Sequence, residues 1–248
     1  MTSSQVWLPY RTPVPRACLR IFCFPPAGGA ASLFRQWSQR LPPDVEVCAL
    51  QPPGREGRFM DSPLTTMDAM VNAIAAAIRP LLTTSYAFFG HSMGAVVAYE
   101  VIRTLRASGA AWPTHLFVSA SGAPHVPDPD RHHLLRDDEL IAVLRKEKWI
   151  PEELLDNRDY MEMLLPVIRA DATVCETYCH QRGTPLECPI TAFIGTRDGK
   201  VDADDIRAWK SYTNKVFREV TVDGAHDLIR TATNDIAAVV AAALATAR

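Results

Sequence analysis

The sequence has no apolar run of the roughly 20 residues that a helical membrane span needs. It has no G-x-G-x-x-G after a strand-like segment and no P-loop, so no nucleotide cofactor is expected. Its six cysteines, at 18, 23, 48, 175, 179 and 188, form no C-x-x-C pair. Cys23 and Cys48 fall in strand-like apolar segments, a usage that fits a reduced, cytoplasmic chain. Cys175, Cys179 and His180 are the one metal-like grouping. Their i, i+4 spacing more simply puts two cysteines on one helix face, so no metal is expected. Met1 to Arg16 is broken by Pro9, Pro13 and Pro15 and lacks the apolar core of a secretory signal. There is no internal repeat and no low-complexity linker.

Net charge is also small, at −2, which argues against nucleic acid as the main partner. The charge is uneven. Residues 1–60 carry seven arginines against three acids, a balance of +4, which leaves −6 for the rest. That bias could steer an acidic partner to one face, although a plain solvated surface would give the same count.

What is present is a large apolar fraction, 48% of 248 residues, arranged as alternating strand and helix patterns. Leu19–Phe24, Glu46–Leu50, Tyr86–Phe89, His115–Ser121, Pro189–Gly195 and Phe217–Val222 read as strands. Residues 66–82 carry Met67, Met70, Val71, Ile74, Ile78, Leu81 and Leu82 at helical spacing. A last alanine-rich helix is expected over about 233–247. The alternation predicts one α/β domain with a mostly parallel sheet and helices on both faces.

The most informative segment is Gly90-His91-Ser92-Met93-Gly94, set between a buried strand and a buried helix. Strand, G-x-S-x-G, helix is the pattern of a nucleophile elbow. The turn strains the serine backbone and admits only small residues two positions to either side. It lifts the Ser92 hydroxyl clear of the sheet and leaves the Met93 N–H free at the helix N-terminus. A serine hydroxyl needs a base, and the base needs an orienting acid. Asp198 lies just past the strand 189–195, with Asp202, Asp204 and Asp205 as nearby competitors. His226 lies just past the strand 217–222. The order Ser, Asp, His suits the elbow, and all three lie past the carboxyl ends of strands, where open α/β sheets bind ligands. The other histidines are less well placed: His91 is within the elbow, His115 begins a strand, and His125, His132, His133 and His180 fall in polar or inserted stretches. After the first strand, Pro25-Pro26-Ala27-Gly28-Gly29 is stiff and then flexible, so the Ala27 N–H can face that of Met93 as a second oxyanion donor.

Residues 122–188 exceed what a strand-to-strand crossover needs. Helices are expected at about 137–147, 152–156 and 159–180, forming a lid insertion over about 125–180 whose methionines suit an adaptable acyl pocket.

These residues resemble the type II (editing) thioesterases of polyketide and non-ribosomal peptide synthase systems, within the α/β-hydrolase superfamily. The resemblance runs from about residue 18 to 230. It rests on Phe24–Gly29, Gln51-Pro52-Pro53-Gly54-Arg55-Glu56, the elbow through Glu100, Leu165-Pro166-Val167-Ile168-Arg169-Ala170-Asp171, Glu176–Tyr178, Gly195–Asp198 and Gly224–His226. It implies an α/β-hydrolase fold, Ser92, Asp198 and His226 as the triad, and Ala27 and Met93 as the oxyanion hole. It implies hydrolysis of acyl groups from the phosphopantetheine arm of a carrier protein, met transiently by a monomeric enzyme with no cofactor. Pro26 stands where the family often has histidine, and Asp227 where an aromatic is usual. Asp227 could raise the His226 pKa, compete with Asp198, or point to solvent. Two other readings use the same residues: a small-molecule carboxylesterase or lipase-like hydrolase, and a non-catalytic scaffold binding an acyl ligand.

Overall fold

The structure is a computed structural model that describes residues 3–147, 150 and 152–246. Six strands, β1 (Leu19–Phe24), β2 (Val45–Ala49), β3 (Ser85–His91), β4 (His115–Ser119), β5 (Ile190–Gly195) and β6 (Phe217–Val222), form one sheet in the order β2-β1-β3-β4-β5-β6. Every neighbouring pair is parallel, so the sheet is more uniform than the mostly parallel one expected. Parallel sheets are covered on both faces, which is why β4 and β5 are buried along their whole length.

Alternate residues serve opposite faces. Phe22, Phe24, Tyr86 and Phe88 pack with α2 (Met67–Ile78) and α3 (Met93–Ala107). Ile21, Cys23, Ala87 and Phe89 pack with Phe34, Trp37 and α9 (Thr233–Thr246). The short α1 (Ser3–Trp7) docks on α2, where Ser4 Oγ donates to the Ala77 carbonyl at 2.7 Å. Helix α2 starts where Thr66 accepts from the Ala69 N–H, and it buries Met67, Met70, Val71, Ile74 and Ile78. It ends at Ile78 rather than 82 because Pro80 has no N–H to donate, and residues 79–81 tighten into a 3-10 turn.

Between β4 and β5 lie α4 (Asp137–Lys146), α5 (Glu152–Leu155) and α6 (Arg158–Glu176). The expected starts hold to within a residue, but α6 stops at Glu176, not 180. Tyr178 Oη donates to Glu100 Oε1 of α3 at 2.6 Å, and the His180 ring packs on Tyr99 and Tyr212. These contacts draw the chain off the helix axis, so Cys179 does not share a helix face with Cys175. Strand β4 ends at Ser119 rather than 121, since Ala120 has left the extended region with φ +49°. The last helix ends at Thr246; residue 247, expected within it, lies outside the described residues. Short helices α7 (Ala203–Arg207) and α8 (Leu228–Thr231) follow β5 and β6.

The strand order reverses between β1 and β3. The chain leaves β1 towards β2 on one side, then crosses to β3 on the other, so the loops after β1 and β3 diverge. They leave a crevice at the carboxyl ends of the strands, the usual ligand position in such sheets.

Candidate active site

Both loops of that crevice carry residues singled out from the sequence. After β3, Ser92 adopts φ +53°, ψ −122°, a strained backbone for a residue with a Cβ. The close packing explains the two glycines. A Cβ on Gly90 would fall 2.5 Å from Ala95 Cα, and one on Gly94 would fall 2.7 Å from both the Phe24 carbonyl carbon and the Pro25 oxygen. The Ser92 N–H donates to the Ser119 carbonyl at 2.8 Å, which ties the elbow to the end of β4.

The loops after β5 and β6 are stitched together. Thr196 N–H donates to the Val222 carbonyl at 2.9 Å and Arg197 N–H to the Gly224 carbonyl at 2.8 Å. This stitching carries Asp198 to His226. The Nδ1 of His226 lies 3.2 and 3.1 Å from the two Asp198 carboxylate oxygens, and its Nε2 lies 3.1 Å from Ser92 Oγ. Asp198 Oδ1 also accepts from the Lys200 and Val201 amides at 2.9 and 3.2 Å. Burial pushes this carboxyl up, but the His226 hydrogen bond and charge, with the two amides, outweigh it and hold Asp198 below its ordinary value. Asp198 therefore stays ionised at neutral pH.

The competing acids stand elsewhere. Asp204 pairs with Arg207 at 2.8 Å, and Asp202 and Asp205 line a cavity wall without bonding His226. Asp227 is exposed, and its carbonyl accepts from the Arg230 and Thr231 amides at the start of α8. Among the described residues it makes no bond to His226 that would compete with Asp198.

At the loop after β1, backbone donors can be counted. Pro25 and Pro26 have none. Gly28 N–H donates to Asp171 Oδ2 at 2.7 Å, Gly29 N–H to the Pro26 carbonyl at 2.9 Å, and Ala31 N–H to Gln51 Oε1 at 3.1 Å. The Ala27 and Met93 N–H groups have no acceptor among the described residues, and both residues line the cavity that holds Ser92 and His226. Pro26, the departure at this loop, contributes its carbonyl to the turn.

That cavity measures about 580 Å³. Met67 of α2 and Met93 and Val96 of α3 line it, and Ile168, Ala172 and Cys175 of α6 line it from the insertion. The methionines of the wall are thus Met67 and Met93. Met161 is buried in the insertion's own cluster, and Met163 is exposed. Burial, then the charge of Asp171, pushes the Cys175 thiol well up, so it is no rival nucleophile. Among the described residues, no three His, Cys, Asp or Glu side chains are grouped to hold a metal. No helix among them is long and apolar enough to cross a membrane.

A profile of the thioesterase domain family matches residues 19–244. The chain belongs to the thioesterase domain family. Among curated relatives of this thioesterase, the gramicidin S biosynthesis protein GrsT of Aneurinibacillus migulanus is 43% identical over 211 residues, covering 85% of this chain and 82% of that one. Among solved structures, the RedJ thioesterase of the prodiginine pathway in Streptomyces coelicolor superposes with a TM-score of 0.86 at 37% identity, covering 96% and 93% of the two chains. The type II thioesterase BorB of the borrelidin cluster superposes with a TM-score of 0.86 at 33% identity, covering 95% and 96%.

Two features of this thioesterase escaped the sequence reading. His91, which looked incidental inside the elbow, is buried behind His226, with ring centroids 5.8 Å apart and its Nδ1 3.0 Å from Ser119 Oγ. Burial, then the charge of His226, pushes its pKa down to about 3, so His91 is neutral. The arginine-rich start is partly neutralised from outside: Arg11 and Arg20 share Glu46, which the count of +4 already includes, while Arg58 pairs with Asp61 and Arg55 with Asp171, both beyond residue 60. A count of charges in a sequence segment cannot see partners more than a hundred residues away.

Proposed function

We propose that this protein is a type II thioesterase of a polyketide or non-ribosomal peptide pathway. It removes short or aberrant acyl groups from the phosphopantetheine arm of acyl or peptidyl carrier proteins. The observation that carries this reading is the continuous chain Asp198–His226–Ser92, opening on a cavity shared with the Ala27 and Met93 amides. The family membership and the biosynthetic names of GrsT and BorB support the substrate class.

In this reading Asp198 accepts a hydrogen bond from the Nδ1–H of His226, which leaves Nε2 free to take the Ser92 proton as Ser92 attacks the thioester carbonyl. The Ala27 and Met93 N–H groups hold the developing oxyanion. The arm leaves readily because its thiol pKa is about 8.5, and as it departs its sulfur takes the proton held by His226, which returns His226 to its neutral form. His226 then activates water, which splits the Ser92 acyl-enzyme into acid and free serine. The enzyme acts as a cytoplasmic monomer that meets its carrier transiently and needs no cofactor. Residues 125–180 serve as a lid on a single α/β-hydrolase domain.

The test is single-turnover hydrolysis of matched acetyl and propionyl groups on a carrier protein, on a pantetheine mimic and on a simple oxygen ester. Fastest release from the carrier is expected. Equal or faster cleavage of the oxygen ester would make the protein a general esterase. No turnover, with no labelling of Ser92 by a fluorophosphonate, would leave an acyl-binding scaffold.

A further inference from the structure

Two motifs in the chain, around Arg55 and Asp171, have no role in the mechanism above. In the structure they meet. Arg55 Nη1 and Nη2 donate to the two Asp171 oxygens at 2.7 and 2.9 Å, a bidentate pair with the Asp171 side chain fully buried and the Arg55 side chain 5% exposed. The pair does not close on itself. Asp171 Oδ2 also accepts the Gly28 N–H at 2.7 Å, and Arg55 Nη1 also donates to the Gly29 carbonyl at 3.0 Å. Arg55 is held in turn, with Nε on the Pro53 carbonyl at 3.2 Å and its own carbonyl accepting Gln51 Nε2 at 3.0 Å. Gln51 Oε1 reaches the Ala31 N–H at 3.1 Å.

Among the described residues, every polar grip on the loop after β1 therefore comes from this network or from the loop's own turn, and the residue next to the gripped Gly28 is Ala27. We propose that Arg55 and Asp171 are positioning residues that aim the Ala27 N–H at the oxyanion, and that through Asp171 helix α6 holds the oxyanion loop. This rests on the role given to Ala27 above.

Stability alone gives little reason for such a pair, because exchanging a buried ion pair for apolar residues is often neutral or stabilising. An apolar pair could not accept the Gly28 N–H while donating to the Gly29 carbonyl one residue on. The same helix forms part of the cavity wall through Ile168, Ala172 and Cys175, and Ile168 lies against Gly28. The wall that would touch an acyl chain is thus fixed to the loop that would hold its oxyanion.

The test compares wild type with Asp171→Asn and Arg55→Lys on an acetyl pantetheine mimic. A short-chain trifluoromethyl ketone thioether serves as the tetrahedral probe, since it places an oxyanion in the hole once Ser92 adds to it. A donor misplaced by about 1 Å can cost roughly 10²-fold. For Asp171→Asn, kcat should fall about 10- to 100-fold while KM stays within about threefold. The inhibition constant of the ketone should rise by the same factor as kcat/KM falls, and the pH profile should keep its shape because the triad is untouched. Arg55→Lys keeps the charge but loses the fork, and should fall between the two. Folded variants with kcat near wild type, or with a raised KM and an unchanged ketone constant, would overturn the proposal. If Asp171→Asn fails to fold, Arg55→Lys decides by the same two constants. If neither folds, the pair is a folding determinant and the proposal fails. An inert wild type would sink the thioesterase reading itself, whereas an active wild type with unaffected variants sinks only the pairing.

Discussion

The elbow and the insertion both wall one cavity and are built by different physics. Around Ser92 the constraints are backbone constraints: a φ of +53°, two glycines with no room for a Cβ, and a main-chain bond to the next strand. Around α4 and α5 they are side-chain constraints. Leu140, Leu144, Leu155, Met161, Leu165 and Ile168 form a cluster separate from both sheet cores. The polar contacts there include exposed pairs, such as Arg145 with Asp156 at 2.9 Å and Arg158 with Glu162 at 2.8 Å, which solvent screens. In the proposed mechanism the elbow must repeat its geometry within tenths of an ångström, whereas the insertion would need only to cover an acyl chain. Helix α6 belongs to both sides. Its first half packs in the insertion cluster, and past Pro166, which interrupts the helical hydrogen bonding, Asp171 grips the oxyanion loop.

The largest effects should come from the rigid side. Ser92→Ala should lower kcat by roughly 10⁶-fold if the three residues act as a unit. Turnover within about tenfold of wild type would remove Ser92 from the chemistry.

Next in size is the elbow backbone. Gly94→Ala would drive a Cβ to 2.7 Å from the Phe24 carbonyl carbon and the Pro25 oxygen, with no side chain able to yield. A cost of about 3 kcal/mol or more is expected, as loss of soluble protein or a large fall in Tm. A normally stable, active Gly94→Ala protein would show the elbow to be as pliable as the insertion.

The matching change in the insertion is Leu144→Ala. Leu144 is fully buried in the insertion cluster, so its truncation should cost about 2–5 kcal/mol at that site. The loss should stay local. Amide exchange should accelerate over residues 137–146 and 152–165 while 85–91 keep their protection. Equal acceleration in both stretches would mean that the insertion unfolds only with the sheet.

The contrast also explains what could be read from the residues alone. Strands and the elbow were legible because their causes are local: apolar runs, glycines two positions from a serine, and charged groups just past strand ends. Position alone favoured Asp198 over Asp202, Asp204 and Asp205, and the stitching of the β5 and β6 loops is what brings Asp198 beside His226. The end of α6 was not legible, because Tyr178 is drawn away by Glu100 of another helix. Nor was the partnership of Arg55 with Asp171. Both motifs were visible, but 116 residues separate them, and nothing in either names the other.

The smallest expected effect is a difference in response to acid. His91 and His115 are buried and neutral; burial first, and for His91 the charge of His226 as well, pushes their pKa values down to about 3 and about 4. The unfolded chain binds a proton at each near pH 6.5, while the folded chain does not until far lower. The stability tied to this difference is therefore present above about pH 6.5 and is lost as pH falls towards the folded values. Each histidine should cost about 2 kcal/mol between about pH 7 and about pH 5. In His91→Asn, which can keep a bond to Ser119, urea denaturation at the two pH values should show a drop smaller by about that amount. The exposed ion pairs of the insertion have no comparable burial, so Arg145→Ala should leave the same drop unchanged. An identical loss in wild type and His91→Asn would mean that His91 protonates freely in the folded protein, and that the ring behind His226 is not held as rigidly as the serine in front of it.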